Sequence, residues 1–333
     1  PPSCLKSMRM SGTSVLQTLI SGDDRLVVKF LKPDLPNEPH MQCLLCQSDQ
    51  QKIFVRTQSF SFPLIYYQCQ NCGLVYQSAQ ESQAGNPEFY EETYRRIYQS
   101  SENPTAKDLW VQEQRASHLK DLLISQNLPS PKRVLDIGAS TGILLKQFQK
   151  AFGSDVVGVE PGDAYRNYAA KQGLKMFASL AALIDSSPDK FDLVCMMHVL
   201  EHLPHPLEML KTIKEDLLNK DGLLILEVPN FYGHDSYELA HLACYSPHTL
   251  GEIVKKAGFE VQLLEKHGVP RSKLLKLYLA IFAKPSPQGA RTTQPKKEIF
   301  VHLKRAVSMG YRKLLEKLFP NRAWLPLPGS ERD

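Results

Sequence analysis

The chain has 333 residues, of which 42% are apolar, and its formal net charge is +5 at neutral pH. That apolar share can bury a sizeable core, and the length suits one large domain with a smaller one beside it. No apolar run approaches the ~18–20 residues that a membrane-spanning helix requires. The first ten residues show no charged-then-apolar export pattern, so we expect a cytoplasmic protein.

Two closely spaced cysteine pairs mark the N-terminal part of the chain. Residues 1–40 are mostly polar and are expected to form an N-terminal arm. The pairs Cys43/Cys46 and Cys69/Cys72 follow, with 22 residues between them. Each pair places two thiolates on one tight turn, and two such turns complete a tetrahedral Cys4 shell for zinc. We therefore predict a small zinc-ribbon-like module and a linker over residues 41–100, holding a structural Zn²⁺.

Two other interpretations exist for these four cysteines. A thioredoxin-type redox pair is disfavoured because neither pair follows a βαβ pattern. Two structural disulfides are disfavoured in a reducing compartment. Structural zinc remains the preferred interpretation.

An alternation of strands and helices begins after the linker. The periodicity predicts a helix over 108–126, strands over 134–137, 156–160, 174–177, 192–197, 223–228, 261–266 and 273–282, and helices over 142–151, 163–172, 206–218 and 246–257. Such alternation requires right-handed crossovers and a mainly parallel sheet that is covered on both faces. The fold class is therefore α/β, with a doubly wound sheet over residues 101–284 whose ligands bind at the carboxyl ends of the strands.

The first strand of this sheet runs into a glycine-containing turn, Asp136-Ile-Gly138-Ala139-Ser140-Thr-Gly142, and a helix. A strand–turn–helix places bare backbone N–H groups and a positive helix end beside its ligand. Glu160 ends the next apolar run, 24 residues after Asp136, where a carboxylate can hold both hydroxyls of a ribose. These residues predict a pocket for an adenosine-containing cofactor.

The glycine spacing indicates which class of cofactor the turn can bind. A dinucleotide-binding turn needs G-x-G-x-x-G, but the second and third glycine positions here are Ser140 and Ile143. The Gly-Lys-Ser/Thr of a phosphate loop is also absent from this turn. The turn instead resembles motif I of class I S-adenosylmethionine-dependent methyltransferases. From this turn alone, another Rossmann-like nucleotide-binding protein remains an alternative.

Further segments extend the resemblance to about residues 105–283: F-D-L-V and H-V-L-E-H-L over 191–203, D-G-L-L over 221–224, V-P-N over 228–230, and A-G-F over 257–259. The resemblance implies a Rossmann-like methyltransferase domain that binds S-adenosylmethionine, with an antiparallel last strand. The residues that it assigns to the cofactor are Asp136, Gly138, Ala139, Ser140, Gly142, Glu160, Pro161, Ser179, Met197 and His198.

The cysteine module and the aromatic segment after it resemble the N-terminal part of sugar C-methyltransferases. The resemblance does not extend to the large C-terminal domain of those enzymes. We expect the zinc to serve the N-terminal module rather than methyl transfer itself.

A hydroxyl or acidic carbon that accepts a methyl group also needs a general base, for which histidine is the usual residue near neutral pH. Four histidines are expected near the cleft: His198, His202, His234 and His241. We favour His241, on the loop that roofs the pocket in similar enzymes, with His202 as the other catalytic candidate. Glu201-His202 could equally be a structural pair at a helix N-terminus.

The tail over residues 285–333 is basic. From residue 284 onward it carries 11 Lys/Arg against 4 Asp/Glu, with apolar residues at helical spacing. We expect a solvated amphipathic helix packed on the domain, and contact with a membrane surface or nucleic acid is the lesser alternative. Neither the tail nor the zinc module shows the aromatic and basic interleaving that single-stranded nucleic acid needs.

The sequence therefore predicts methyl transfer to a small molecule, first to a hydroxyl of a sugar or secondary metabolite, with a carbon or an amine as further acceptors. A methyltransferase that docks RNA or protein through the zinc module and tail is one alternative. A non-catalytic cofactor-binding protein is another, because Ser140 replaces a glycine of the motif. The sequence does not determine the oligomeric state.

Overall fold

The computed structural model describes residues 42–59, 62–77, 103–186, 189–287 and 294–328, and the backbone of a strand pair near the N-terminus. That pair, Thr18–Leu19 (β1) and Val27–Val28 (β2), belongs to a separate unit of residues 1–41. The rest of the predicted arm and residues 78–102 of the linker lie outside the described residues. Among the described residues, no helix combines the length and hydrophobicity needed to cross a bilayer.

A seven-stranded sheet forms the centre of the second unit, residues 42–333. Its strands are Arg133–Ile137 (β6), Asp155–Val159 (β7), Lys175–Phe177 (β8), Phe191–Met197 (β9), Leu218–Pro229 (β10), Phe259–His267 (β12) and Tyr278–Pro285 (β13). They lie in the order β12-β13-β10-β9-β6-β7-β8. β13 is antiparallel to both of its neighbours, and the pairs from β10 to β8 are parallel. This order confirms the predicted α/β class and the antiparallel last strand.

The sheet is accompanied by seven helices of the described chain. They are Ala106–Ser125 (α1), Ile143–Phe152 (α2), Asp163–Lys171 (α3), Leu180–Ser186 (α4), Pro206–Thr212 (α5), Pro247–Lys256 (α6) and Val301–Leu318 (α7). A four-residue helix, Pro320–Ala323 (α8), follows α7. The apolar faces of α1 and α2 pack on one side of the sheet with the side chains of β6, β9 and β10.

Local side-chain chemistry explains where several helices begin. Thr105 and Asp108 form a reciprocal capping box at the start of α1, and Ser246 and Thr249 form one at the start of α6. Pro247 occupies the first turn of α6, where its missing N–H costs nothing. These caps place α1 and α6 within two residues of their predicted starts.

Three boundaries differ from the periodicity-based prediction. The helix predicted over 206–218 ends its regular part at Thr212 and continues as a π-helical turn, Ile213–Leu217. α4 has only seven residues and was not predicted. The last strand begins at Tyr278 rather than at 273 or 274, because Ser272 Oγ accepts the N–H groups of Leu274 and Leu275 and bends the chain there.

A second, four-stranded sheet carries the cysteine module. Its strands are Gln51–Ser59 (β3), Phe62–Cys69 (β4), Val75–Gln77 (β5) and Ala243–Cys244 (β11), in the antiparallel order β11-β5-β4-β3. β11 comes from the loop between β10 and α6. The apolar side chains of β4 and β5 share a buried cluster with that loop. The module is therefore built into the same unit as the large sheet.

The helix predicted in the basic tail is present as α7, but its orientation differs from the expectation. The apolar periodicity predicted that residues such as Leu303 and Val307 would pack on the domain. In the structure these side chains are exposed. The buried positions are Val301 and Arg305.

Candidate functional site

The turn after β6 has the backbone conformation of a tight phosphate- or cofactor-type loop. Gly138 and Gly142 have φ of 79° and 74°, in the left-handed region that favours glycine. A Cβ at Gly138 would lie 2.4 Å from Val199 Cγ2, so a side chain there would clash. The N–H groups of Gly138 and Ala139 donate to the Val159 carbonyl at 2.8 and 3.0 Å and tie the turn to β7.

Ser140 adopts the same left-handed region, with φ of 50°. A non-glycine residue pays about 1–2 kcal/mol for this conformation. Two hydrogen bonds hold it there: its Oγ accepts from Gln112 Nε2 at 3.1 Å, and its N–H donates to Glu160 Oε2 at 3.0 Å. The glycine-to-serine change in the motif therefore leaves the turn in its expected shape.

Glu160 follows β7 directly and connects two loops. Besides the Ser140 contact, its Oε1 accepts from the N–H of Gly162 at 2.7 Å. Arg166 donates to the carbonyls of Glu160 and Pro161 at 2.9 and 2.8 Å. The carboxylate thus lies beside the turn at the carboxyl edge of the sheet. Its role as the ribose ligand stays a prediction.

Asp136, near the end of β6, is almost fully buried, and its Oδ1 has no hydrogen-bond partner among the described residues. Burial, followed by the charge of Glu160, raises its pKa well above the ordinary value. An unsatisfied buried carboxyl of this kind would be stabilised by a donor or a positive charge that a ligand brings to it.

The other three cofactor candidates lie on neighbouring loops. Met197 ends β9 and packs against the core below it. His198 follows in the left-handed region, with φ of 55°, and its N–H donates to the Glu227 carbonyl at 2.8 Å. Ser179 has a local role in this structure, because its Oγ accepts the Ala182 N–H at 3.2 Å in the first turn of α4. The carboxyl ends of β7, β6 and β9 are adjacent, so the structure brings the Gly138 turn, Glu160 and His198 to one edge.

A buried carboxylate with two histidines and an arginine around it adjoins this edge. Glu227 on β10 lies 2.9 Å from His198 Nε2, 3.2 Å from His267 Nε2 and 3.4 Å from Arg115 Nε. Burial alone would raise the pKa of Glu227, but these partners outweigh it and hold the pKa well below the ordinary value. Burial and Arg115 depress the pKa of His198, while its hydrogen bonds with Glu201 and Glu227 outweigh them and raise it.

The two catalytic candidates lie together beside a second buried carboxylate. The rings of His202 and His241 are 5.0 Å apart, and one nitrogen of each lies within 4.8 Å of a Glu201 oxygen. His202 Nδ1 donates to the Ala240 carbonyl at 2.8 Å, and His241 Nδ1 lies 3.3 Å from the Ser236 carbonyl. A carbonyl oxygen only accepts hydrogen bonds, so Nδ1 of each ring carries the proton. The lone pair of each neutral ring therefore lies on Nε2.

Burial and neighbouring charges determine which groups of this cluster are ionised. Burial, then His202, lowers the pKa of His241 to about 3, and burial also lowers the pKa of His202. Burial would raise the pKa of Glu201, but its histidine neighbours, His198 first, outweigh it and lower it to about 2. The pair of imidazoles is therefore neutral at pH 7, and Glu201 is ionised.

Glu238 was not identified from the sequence. Its Oε2 lies 3.6 Å from His241 Nε2, and burial, then the charge of Glu201, raises its pKa to about 7. A group that ionises near the working pH is well suited to proton transfer. Glu227 was also missed, although a glutamate that ends the apolar run Leu223–Val228 is a signal that could have revealed it.

A cavity of about 340 Å³ opens beside Arg115, the partner of Glu227. Its wall carries both signs of charge: Lys107, Arg115, Arg271 and Arg312 with Asp108 and Asp235, next to His234 and Tyr278. The Tyr278 ring lies 5.2 Å from the His198 ring and 5.9 Å from the His234 ring, so the cavity reaches the carboxyl edge of the sheet. Burial lowers the pKa of His234 to about 4, which leaves this ring neutral.

The four predicted zinc ligands converge. All four cysteines are buried and free of disulfides, and their sulfurs lie within 4.8 Å of one another. The Sγ atoms of Cys43 and Cys72 are 3.5 Å apart, and those of Cys46 and Cys69 are 3.4 Å apart. Zn–S bonds of about 2.3 Å in a tetrahedron place sulfurs about 3.8 Å apart. The size and the chemistry of the donor set therefore fit Zn²⁺.

The cysteine module holds the loop that carries His241. Gln77 Nε2, next to β11, donates to the carbonyls of Glu238 and His241 at 3.0 and 2.6 Å. Tyr66 OH donates to the Glu238 carbonyl at 2.8 Å and accepts the Glu238 N–H at 3.1 Å. We call residues 236–242 the roof loop, since they lie over the Glu201–His202 pair.

Comparison with known proteins agrees with this geometry. Residues 111–264 match a family model described as a methyltransferase domain. A ubiquinone biosynthesis O-methyltransferase of Actinobacillus pleuropneumoniae is 34% identical over 110 residues, which is 30% of this chain and 46% of the relative. The Haemophilus ducreyi enzyme of the same name matches with the same identity and shares. The chain thus spans less than half the length of these curated relatives.

Solved structures with similar folds have low sequence identity. A methyltransferase from Archaeoglobus fulgidus is 21% identical, with a TM-score of 0.41, and covers 54% of this chain and all of its own. Magnesium protoporphyrin IX methyltransferase from Synechocystis with bound S-adenosylmethionine is 16% identical, with a TM-score of 0.42, and covers 60% of this chain and 94% of its own. Residues 111–264 thus resemble a methyltransferase domain, and the sheet order is that of the predicted doubly wound fold.

Proposed function

We propose that the protein transfers a methyl group from S-adenosylmethionine to a small molecule bound in the cavity beside His198 and Tyr278. The observation that carries this proposal is the meeting of the Gly138 turn, Glu160 and the histidine–carboxylate clusters at one edge of the sheet. That edge is where ligands bind in doubly wound folds.

Several residues are placed to hold the cofactor. Glu160 would bind the ribose hydroxyls, and the turn from Gly138 to Gly142 would receive the amino acid portion, with the buried Asp136 carboxyl nearby. Met197 and His198 would form the wall on the β9 side. When bound, S-adenosylmethionine supplies a methyl group on a positively charged sulfur. The protein contributes alignment of the acceptor, which alone can account for ~7–11 kcal/mol of a barrier.

His241 remains our proposed general base, with Glu238 as its partner. The neutral His241 ring can take the acceptor's proton at Nε2, and the Glu238 carboxylate 3.6 Å away would stabilise the resulting imidazolium. A pKa of about 3 makes His241 a weak base by itself, so the proton transfer depends on ionised Glu238. His202, held by the Ala240 carbonyl, keeps the roof loop against Glu201 and is the second candidate.

The acceptor is proposed to be a hydroxyl. The curated relatives are named O-methyltransferases, which supports oxygen over carbon or nitrogen. Sugars and secondary metabolites remain the first classes to test.

We also propose a structural Zn²⁺ at Cys43, Cys46, Cys69 and Cys72 within a module of residues 41–100, a catalytic domain of residues 101–284 and a distinct tail from residue 285. The support is the compact Cys4 group and its dimensions. Elemental analysis of protein purified without added metal should give one zinc atom per chain.

The function is tested by titrating the purified chain with S-adenosylmethionine in a calorimeter and then supplying a panel of hydroxylated, amino and carbon-acid metabolites. Binding followed by transfer to a panel member supports the proposal. Binding without transfer would indicate a non-catalytic cofactor-binding protein, unless RNA affinity that falls steeply with salt pointed to a macromolecular acceptor. No binding of the cofactor would overturn the proposal.

A further inference from the structure

The helix α7 packs on the protein with its arginines inward. Arg305 is only 8% exposed and donates to the Tyr237 hydroxyl at 3.0 Å and to the His234 carbonyl at 3.1 Å. Its guanidinium also lies over the rings of Phe231 and Tyr237, 4.4 and 4.8 Å from their centroids. Ordinary surface helices bury their apolar stripe and expose their charges. α7 does the reverse at its centre.

A second arginine fixes the same face two turns later. Arg312 donates to the Gly233 carbonyl at 3.0 Å and pairs with Asp235 and Glu316, both at 2.8 Å. Its guanidinium lies 5.2 Å from the Trp324 ring. Since these contacts reach both halves of the helix, the rotation of α7 about its own axis is well defined.

The opposite face of α7 is apolar and exposed. Leu303, Val307, Tyr311, Leu314 and Leu318 are each between 51% and 63% exposed. At 3.6 residues per turn their spacing places them within a stripe about 80° wide. Ile299 and Phe300 before the helix and Phe319 after it are exposed as well. This segment holds eight of the eleven exposed large hydrophobic side chains of the described residues, so the exposure is concentrated rather than scattered.

The charges beside this stripe have one sign. Lys313 and Lys317 are exposed on one side of it, whereas Lys304 on the other side pairs with Glu298 at 3.2 Å. The single acidic residue of α7, Glu316, lies on the inward side with Arg312. Two copies that packed stripe against stripe would bring Lys313 and Lys317 of both copies to the same interface, and the acidic residue of α7 faces inward, which disfavours a dimer through this face. A surface with an apolar interior and anionic groups at its boundary complements both the apolar stripe and the lysines beside it.

We propose that the outward face of α7 docks the protein on a membrane surface rich in anionic lipids. The stripe, which we define as Leu303, Val307, Tyr311, Leu314 and Leu318, would enter the boundary of headgroups and acyl chains. Lys313 and Lys317 would contact the lipid phosphates. The proposal does not depend on the nature of the methyl acceptor.

Vesicle sedimentation with the full chain provides the test. The protein should bind vesicles of phosphatidylcholine mixed with phosphatidylglycerol, bind phosphatidylcholine alone much more weakly, and be released from the mixed vesicles by salt. Leu314→Glu should weaken the binding to mixed vesicles about tenfold or more, because it places a charge in the centre of the stripe. Lys313→Glu combined with Lys317→Glu should have a similar effect.

The matched control is Ile184→Glu, which adds the same charge at an exposed apolar residue of α4, away from the stripe. It should leave vesicle binding unchanged, and thermal melting should show that every variant is folded. Three results would overturn the proposal: no binding of the folded wild type to mixed vesicles, equal binding to vesicles without anionic lipid, or a dimer in light scattering that Leu314→Glu dissociates.

Discussion

The turn at Gly138 and the roof loop over residues 236–242 lie at the same site but are held in different ways. The turn is fixed mainly by nearby backbone, such as the N–H groups that donate to the Val159 carbonyl from the neighbouring strand. The roof loop is fixed by side chains more than 160 residues distant in sequence, Tyr66 and Gln77 of the cysteine module. The proposed cofactor side is thus held by local contacts, whereas the proposed acceptor side depends on a second module.

Loss of zinc should give the largest difference between the roof loop and the Gly138 turn. Cys72→Ser removes a ligand, so the module and the roof loop should loosen together and turnover should become undetectable. Binding of S-adenosylmethionine should persist, because the Gly138 turn is held by Val159, Glu160 and Gln112. Calorimetry and turnover assays measure the two effects, with Cys195→Ala as the control cysteine outside the cluster. Full turnover in zinc-free protein would refute the dependence.

A milder variant separates the loop contacts from folding of the module. Gln77→Leu keeps the zinc but removes the donor to the Glu238 and His241 carbonyls, each lost contact being worth about 1–3 kcal/mol. Turnover should fall about tenfold, with zinc content and cofactor affinity unchanged. Hydrogen exchange should become faster in the roof loop. Unchanged exchange there would show that Gln77 does not hold the loop.

Removing the proposed base should act on the acceptor side alone. His241→Ala should lower turnover by ~10²–10⁴ and leave cofactor affinity nearly unchanged, because the imidazole is proposed to face the acceptor rather than the cofactor. His248→Ala, which changes a half-buried histidine whose Nε2 lies 2.8 Å from the Lys296 carbonyl, is the matched control. An equal loss of cofactor binding would make His241 a structural part of the roof, and a loss confined to His202→Ala would transfer the role there.

Glu238 should set the pH dependence. Its pKa is raised to about 7, so the ionised partner of His241 is present above that pH and lost below it. The turnover rate should therefore fall about tenfold per pH unit as the pH decreases through this value. Glu238→Gln should remove that limb of the profile at a lower overall rate. A wild-type profile without an ionisation near pH 7 would contradict the assignment.

On the cofactor side the change should appear in binding rather than in turnover. Glu160→Ala should weaken binding of S-adenosylmethionine tenfold or more, since each hydrogen bond to a charged group is worth about 1.5–3 kcal/mol. Turnover at saturating cofactor should change little. Calorimetry gives the dissociation constant, and circular dichroism checks that the loss of the Ser140 and Gly162 contacts leaves the fold intact. An unchanged dissociation constant would remove the ribose assignment.

The sequence alone determined the sheet, the cofactor edge and the candidate metal ligands. Strand periodicity, the Asp136–Gly142 turn and the Cys-x-x-Cys spacing act through local geometry, which neighbouring residues specify. Glu227 at the end of a buried strand carried a readable signal that was missed. Glu238 carried none, because its raised pKa comes from burial and from the charge of Glu201.

Only the tertiary structure determined which parts of the chain meet. The pairing of β11 with β5 joins residues far apart in sequence, and no periodicity encodes such a contact. The same holds for α7: its apolar and basic periodicity predicts a helix, but the pattern does not say which face is turned inward. That choice depends on the carbonyls and aromatic rings that Arg305 and Arg312 meet on the loop after β10, and these contacts exist only once the sheet has formed.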